Sequence, residues 1–188
     1  MKRIISFISA AVLLIAGLAV VSCEGSQKQE GSVTRPDGNG PEEDGKEFVI
    51  LFTNDFHSQI EPLGKEETYN ADRGGAKRIK ALVDSVRAAE PHVLLADAGD
   101  LVQGTYYFSL LNGVVEMMML EELGYDVRTL GNHEFDKKMI GLGDMLAMSS
   151  VPVVASNYDF SQTPIAPYIR SSILLDAGNA KVGFIGLN

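Results

Sequence analysis

Cysteine occurs once in the 188 residues, at Cys23, and histidine three times, at His57, His92 and His133. One thiol excludes an intramolecular disulfide and a zinc cage built from cysteines. Basic side chains are also in short supply: 16 Lys and Arg face 25 Asp and Glu, a formal net charge of −9. So acidic a surface argues against a nucleic-acid polymer as partner, and no cluster of Arg or Lys stands ready to hold an anion. If the ligand is an anion, positive charge must come from another source, and bound metal ions are the strongest local one. Internal repeats are lacking. Apolar side chains are nearly missing from residues 24–46, where Val33 is the only sizeable one. Such a stretch buries too little surface to offset its own ordering, and residues 23–46 read as a flexible tether.

Ahead of the tether, Met1-Lys2-Arg3 is a short basic head, and residues 4–21 are nearly unbroken in apolar side chains before the small pair Ser22-Cys23. This layout predicts an export signal over residues 1–22, with a retained membrane anchor as the other reading. Val20-Val21-Ser22-Cys23 resembles the lipobox of bacterial lipoproteins. That resemblance implies lipidation of Cys23 and an exported, membrane-anchored protein on the periplasmic or cell-surface side, where several acyl chains together hold firmly. The plainer reading is a free thiol beside an ordinary cleavage site. The remaining residues, 47–188, form the folded domain, and a chain with 45% hydrophobic residues can bury a core.

Within that domain, residues 48–52, 93–96, 126–130 and 151–154 are short apolar runs, as expected for strands covered on both faces. Helical spacing links them. Ile79, Leu82, Val83 and Val86 share one side of a helix over about 76–89. A single helix is expected over about 108–123, with Met117, Met118 and Met119 in core packing and Gly124 as its C-cap, and another over about 137–148. Residues 168–175 and 181–187 read as a β-hairpin. Strands alternating with helices predict an α/β fold around a parallel sheet.

Each of the first three strands runs into a polar loop: Thr53-Asn54-Asp55-Phe56-His57, Asp97-Ala98-Gly99-Asp100, and Leu130-Gly131-Asn132-His133-Glu134-Phe135-Asp136. Open α/β sheets bind ligands at the carboxyl ends of their strands, so the three loops are expected to share one site. Asp55 and His57, two residues apart, can turn toward one point; the alternative makes Asp55 a turn former and His57 a surface residue. Gly99 lets the backbone turn beside Asp100, whose carboxylate could bridge two cations. Asp97, still within the strand, is expected to be a hydrogen-bonded structural group, and His92, at the opposite strand end, a structural one. Asn157 suits either the same rim or a turn. Oxygen and imidazole ligands without thiolate suit Zn, Mn, Fe, Co or Ni. Two such ions sharing a carboxylate would clamp an in-line displacement at phosphorus. His133, followed three residues later by Asp136, fits a proton donor, because a carboxylate orients the imidazole and favours its cationic form.

In this order and each behind a strand, DxH, GD and GNHEFD resemble the metallophosphoesterase (calcineurin-like) superfamily. More narrowly, TNDFHSQIEP, RGGAKRIKAL, DAGDLVQGT and LGYDVRTLGNHEFD are similar to the catalytic domain of the 5'-nucleotidase and UDP-sugar hydrolase family, from about Phe48 to Leu187. The resemblance implies the N-terminal portion of a four-layer α/β/β/α sandwich with two divalent metal ions. It implies that Asp55 and His57 bind the first metal, Asp100 bridges, and Asn132 binds the second metal and meets the substrate phosphate. His133, paired with Asp136, would stabilise the transition state, and the substrate would be a small phosphate ester or nucleotide. The family completes both metal sites with further histidines, including a GHxH-like motif, and stacks the base on a separate C-terminal domain. No histidine follows His133 here. A separate chain or domain that completes the site is therefore also expected, with an inactive lipid-tethered fragment as the alternative.

Overall fold

The computed structural model describes Arg3–Ser6 as backbone, then residues 47–178 and 180–188. Cys23 and the tether lie outside the described residues, as does the predicted leader apart from Arg3–Ser6. Those four residues form strand β1, which pairs in parallel with β2 (Val49–Thr53). Next come β3 (Val93–Asp97), β4 (Val127–Arg128), β5 (Val153–Val154) and β6 (Ile169–Arg170), all parallel and in chain order across one six-stranded sheet. Right-handed crossovers that always step in one direction put every linking helix on the same face. Those helices are α1 (Ala76–Ala89), α2 (Tyr106–Leu111), α3 (Val114–Leu123) and α4 (Lys138–Ala147). The other face is covered by an antiparallel hairpin, β7 (Ile173–Ala177) and β8 (Ala180–Phe184).

Two apolar clusters follow from the period of two along each strand. Val49, Leu51 and Leu95 point to the helices and pack with Val83, Met117, Leu120, Leu142 and Met145. Leu94 and Ile50 point the other way, onto Ala177, Val182, Leu175 and Phe184 of the hairpin. Helices, sheet and hairpin thus make three successive layers among the described residues. Each fully buried Leu contributes roughly 2–3 kcal/mol through the surface it removes from water. The continuous apolar runs of β2 and β3 have this double burial as their cause.

Three expectations need correction. The helix over 108–123 is two helices, because Asn112 (φ 52°) and Gly113 (φ 92°) both adopt left-handed backbone and end the first before the second starts. Strand β4 covers only two residues, since the chain leaves the sheet early to form the turn at 131–136. Ile169–Arg170 belongs to the parallel sheet rather than to the hairpin. Gly124 does cap α3, with its N–H donating to the carbonyls of Leu120 and Glu121. Among the described residues, no helix is long and apolar enough to cross a membrane.

Candidate metal centre

The parallel register, Thr53 beside Asp97 and Arg128 beside Val153, brings the carboxyl ends of the strands to one edge. The loop after β2 then runs alongside the loop after β3: Asp55 N donates to Gly99 O, His57 N to Asp100 O and Ser58 N to Leu101 O, at 2.9–3.0 Å. The loop after β4 is drawn in by glycine. A Cβ on Gly99 would lie 2.6 Å from Gly131 N, and one on Gly131 would collide with the Asp100 carboxylate. Only two residues without side chains let these loops touch.

Glu134 locks that contact. Its buried carboxylate accepts Leu101 N at 2.9 Å through Oε1, and Asp100 N at 3.1 Å and Gly131 N at 2.6 Å through Oε2. Asp100 returns the connection, its Oδ1 accepting His133 N at 2.9 Å. As a result one ligand atom each from His57, Asp100 and His133 lies within 4.8 Å of the others, a group that could hold a metal ion. The two imidazoles meet edge to face, 5.1 Å between centroids. Asp55 joins through Oδ1, 3.5 Å from His57 Nε2. Asn132 is exposed and directly precedes His133, at the start of the turn. Asn157 is not brought in; its side chain bonds the backbone of Asn188. His92 sits at the far end of the sheet, against the hairpin turn at Gly178.

Both imidazoles are held from outside the cluster. His57 Nδ1 is 3.1 Å from Gln103 Oε1, and His133 Nδ1 is 3.0 Å from Asp136 Oδ2. The bond to Asp136 raises the pKa of His133, partial burial opposes this, and the charges of Asp100, Asp136 and Glu134 add to the rise. Below the edge, Asp97 Oδ1 accepts from Thr53 Oγ1 at 2.8 Å and Oδ2 from Gly99 N at 3.1 Å, while Tyr125 Oη lies 2.7 Å from Thr53 Oγ1. Burial, then the charge of Glu134, pushes Asp97 up to about 7. Burial pushes the guanidinium of Arg128 down, and the carboxylates of Glu134 and Asp97 oppose it.

Several groups here carry left-handed backbone: Asp55 (φ 51°), His57 (φ 50°), Asp100 (φ 53°) and Gln103 (φ 90°). Asp and His tolerate this region better than most residues, but strain gathered at one point marks a functional site. Two imidazoles with carboxylates and no thiolate fit a divalent cation of intermediate hardness. Sequence reasoning missed Glu134, Gln103 and Arg128. Glu134 stood in plain view beside His133, but its partners are backbone groups that only the folded loops bring near.

An α/β sheet that presents imidazoles and carboxylates at its carboxyl edge, with a carboxylate-held histidine beside them, defines a metal-site hydrolase fold. The calcineurin-like phosphoesterase profile matches residues 48–187, and the chain belongs to that family. The chain is 39% identical to the 5'-nucleotidase of Bos taurus, over 74% of this chain and 26% of the relative. The crystal structure of a 5'-nucleotidase precursor from Thermus thermophilus superposes with a TM-score of 0.68 at 36% identity, over 73% of this chain and 28% of that one. The NAD nucleotidase of Haemophilus influenzae gives a TM-score of 0.65 at 30% identity, over 73% and 26%. The chain spans about a quarter of the length of the curated relatives it matches.

Proposed function

We propose that this chain serves metal-dependent hydrolysis of phosphate esters, of the nucleoside 5'-monophosphate kind, at a dinuclear site. The observation that carries this reading is the meeting of His57, Asp100 and His133 within 4.8 Å, with Asp136 on the outer nitrogen of His133. Asp55, His57, Asp100 and Asn132 would hold the cations, with Asn132 also placed to meet the phosphate. Bound divalent cations supply positive charge at the phosphate and a hydroxide at neutral pH. His133 contributes the proton. Asp136 fixes its ring, keeps Nδ1 protonated and leaves Nε2 to donate to the departing oxygen. Glu134, by holding the loops of Asp100 and His133 together, preserves the spacing that positioned catalysis requires.

Phosphate release from AMP by the full chain, supplied with Mn²⁺ or Zn²⁺, tests the reading. Asp100→Ala and His133→Ala are each expected to lower the rate by roughly 10²-fold or more. Equal rates in wild type and both variants would end it. A second reading is a site completed by a separate chain or domain; Leu174, Ile185 and Leu187, exposed on and beyond the hairpin, favour an added layer there. We also place the protein outside the cytoplasm, lipidated at Cys23; the basic head, apolar run and Val20-Val21-Ser22-Cys23 support this.

A further inference from the structure

The Nδ1 atoms of both imidazoles are bonded to walls of one cleft of about 460 Å³, lined by Gln103, Gly104, Phe108, Ser109, Asp136 and Lys137. Within it Lys137 Nζ is engaged by the buried Phe108 ring, 5.3 Å from the centroid, and the groups on the rings are Asp136 and Gln103. The loop that carries Gln103 is built against His57. Asp100 O and Leu101 O accept from His57 N and Ser58 N, and Thr105 Oγ1 donates to Ser58 O at 3.0 Å. Between those anchors Leu101 and Val102 are fully buried, and the chain turns through two successive left-handed residues, Gln103 (φ 90°) and Gly104 (φ 100°). A Cβ on Gly104 would lie 3.3 Å from His57 O, so glycine there lets the loop lie close. Gln103 has no such excuse for its backbone, a conformation that residues with side chains rarely adopt. The turn brings its amide oxygen to His57 Nδ1, 3.1 Å away, and strain kept at a polar residue beside a site points to function.

We infer that Gln103 is a positioning residue of the metal centre: its amide oxygen keeps the proton of His57 on Nδ1 and so leaves Nε2 open to a cation beside Asp55. The inference deepens the reading of a metal-dependent hydrolase and rests on it. A neutral imidazole carries one N–H, and two acceptors compete for it. Asp55 Oδ1 stands 3.5 Å from Nε2, and Gln103 Oε1 stands 3.1 Å from Nδ1. With the proton on Nε2, the ring would turn a donor toward Asp55 and could not ligate a cation through that atom. With it on Nδ1, the lone pair of Nε2 joins the Asp55 carboxylate in facing the ion, the arrangement that a hydrogen bond on the other ring nitrogen secures for a metal-ligating histidine. The bond to Gln103 is of ordinary length and the contact with Asp55 is long for one, so Gln103 decides the outcome. Water in the cleft could not replace it, because water donates to a ring nitrogen as readily as it accepts from one, whereas the amide oxygen only accepts.

The test reads the tautomer directly. The chain has three histidines, so ¹⁵N shifts of the ring nitrogens in the metal-free full chain, at a pH where the rings are neutral, report each one separately. His57 is expected to carry its proton on Nδ1 in wild type and to shift toward Nε2–H in Gln103→Met, which keeps the length of the side chain and removes the acceptor. Titration with Mn²⁺ should show affinity weakened about 10- to 100-fold in the same variant. Gln103→Glu, which keeps an acceptor oxygen at the same reach, should restore both. An unchanged His57 tautomer in Gln103→Met, or unchanged Mn²⁺ affinity, would overturn the inference. So would equal changes at His133 and His92, since the variant would then have loosened the fold rather than released one ring. Hydrolysis of AMP is followed in parallel. Wild type that hydrolyses AMP while Gln103→Met leaves the His57 tautomer in place refutes the role of Gln103 alone. Wild type that binds Mn²⁺ through a Gln103-dependent tautomer but hydrolyses no ester refutes the phosphoesterase reading while supporting the role of Gln103.

Discussion

Three backbone N–H groups from two loops converge on the Glu134 carboxylate, and that convergence decides where the neighbouring ligands stand. That His57, Asp100 and His133 would meet was legible from sequence, because each follows an apolar run, where a strand end must be. The residues that hold them were not. Glu134, Gln103 and Lys137 act on atoms outside their own local pattern, and nothing in the sequence announces a carboxylate that will meet backbone amides 33 and 34 residues earlier. Asp97 was legible as structural, and its environment carries a measurable consequence. Burial raises its pKa from 3.8 to about 7, so the folded chain binds this proton more tightly than the unfolded one. Its contribution to stability is full below pH of about 4 and is lost as pH rises through about 7, at up to about 1.4 kcal/mol per pH unit. Asp97→Asn is expected to remove that slope. Denaturant midpoints of wild type and variant, taken from pH 4 to 8, check it; parallel slopes would show that Asp97 is ionised throughout.

At the scale of elements, periodicity placed α1, α4 and the first two central strands within a residue or two, since each has one period and clear stops. It failed between residues 108 and 123, where apolar side chains continue across a break in the backbone. The break has a packing cause. Gly113 occupies the point where α2 and α3 approach α4, and a Cβ there would collide with the Met145 side chain. Its φ of 92° is also a conformation that other residues rarely adopt. A continuous helix would have to pass through that contact; two shorter helices turn around it and set Phe108 over the cleft. Gly113→Ala is therefore expected to destabilise by about 2–4 kcal/mol, from left-handed strain and overpacking together. Thermal unfolding measures this, and a change under about 0.5 kcal/mol would mean that α4 yields to the extra methyl. Because Lys137 stands at the start of α4, the variant should also disturb the cleft more than the pairing of His57 with Asp55.

Seen whole, the molecule is a parallel sheet with helices on one face, a hairpin on the other and its candidate chemistry along one edge. The class was legible from the alternation of strands with helices, while the pairing of Arg3–Ser6 with β2 was not, because those residues read as the head of an export signal. The two findings meet in β2. It is buried on both faces and pairs with β3 on one side, so its other side depends on β1 for backbone partners. If residues 1–22 are removed on export, the β2 amides that face β1 lose those acceptors and open to water. Each such bond contributes about 1 kcal/mol net, so the domain should stay folded while this one edge loosens. Hydrogen exchange on the chain with and without residues 1–22 is expected to show faster exchange confined to alternate residues of β2, with β3 unchanged. Uniform protection in both forms would mean that β1 does not hold this edge in solution. Loss of protection throughout the sheet would mean that β1 stabilises far more than one strand, and that a chain without residues 1–22 must find a replacement before it can hold His57, Asp100 and His133 together.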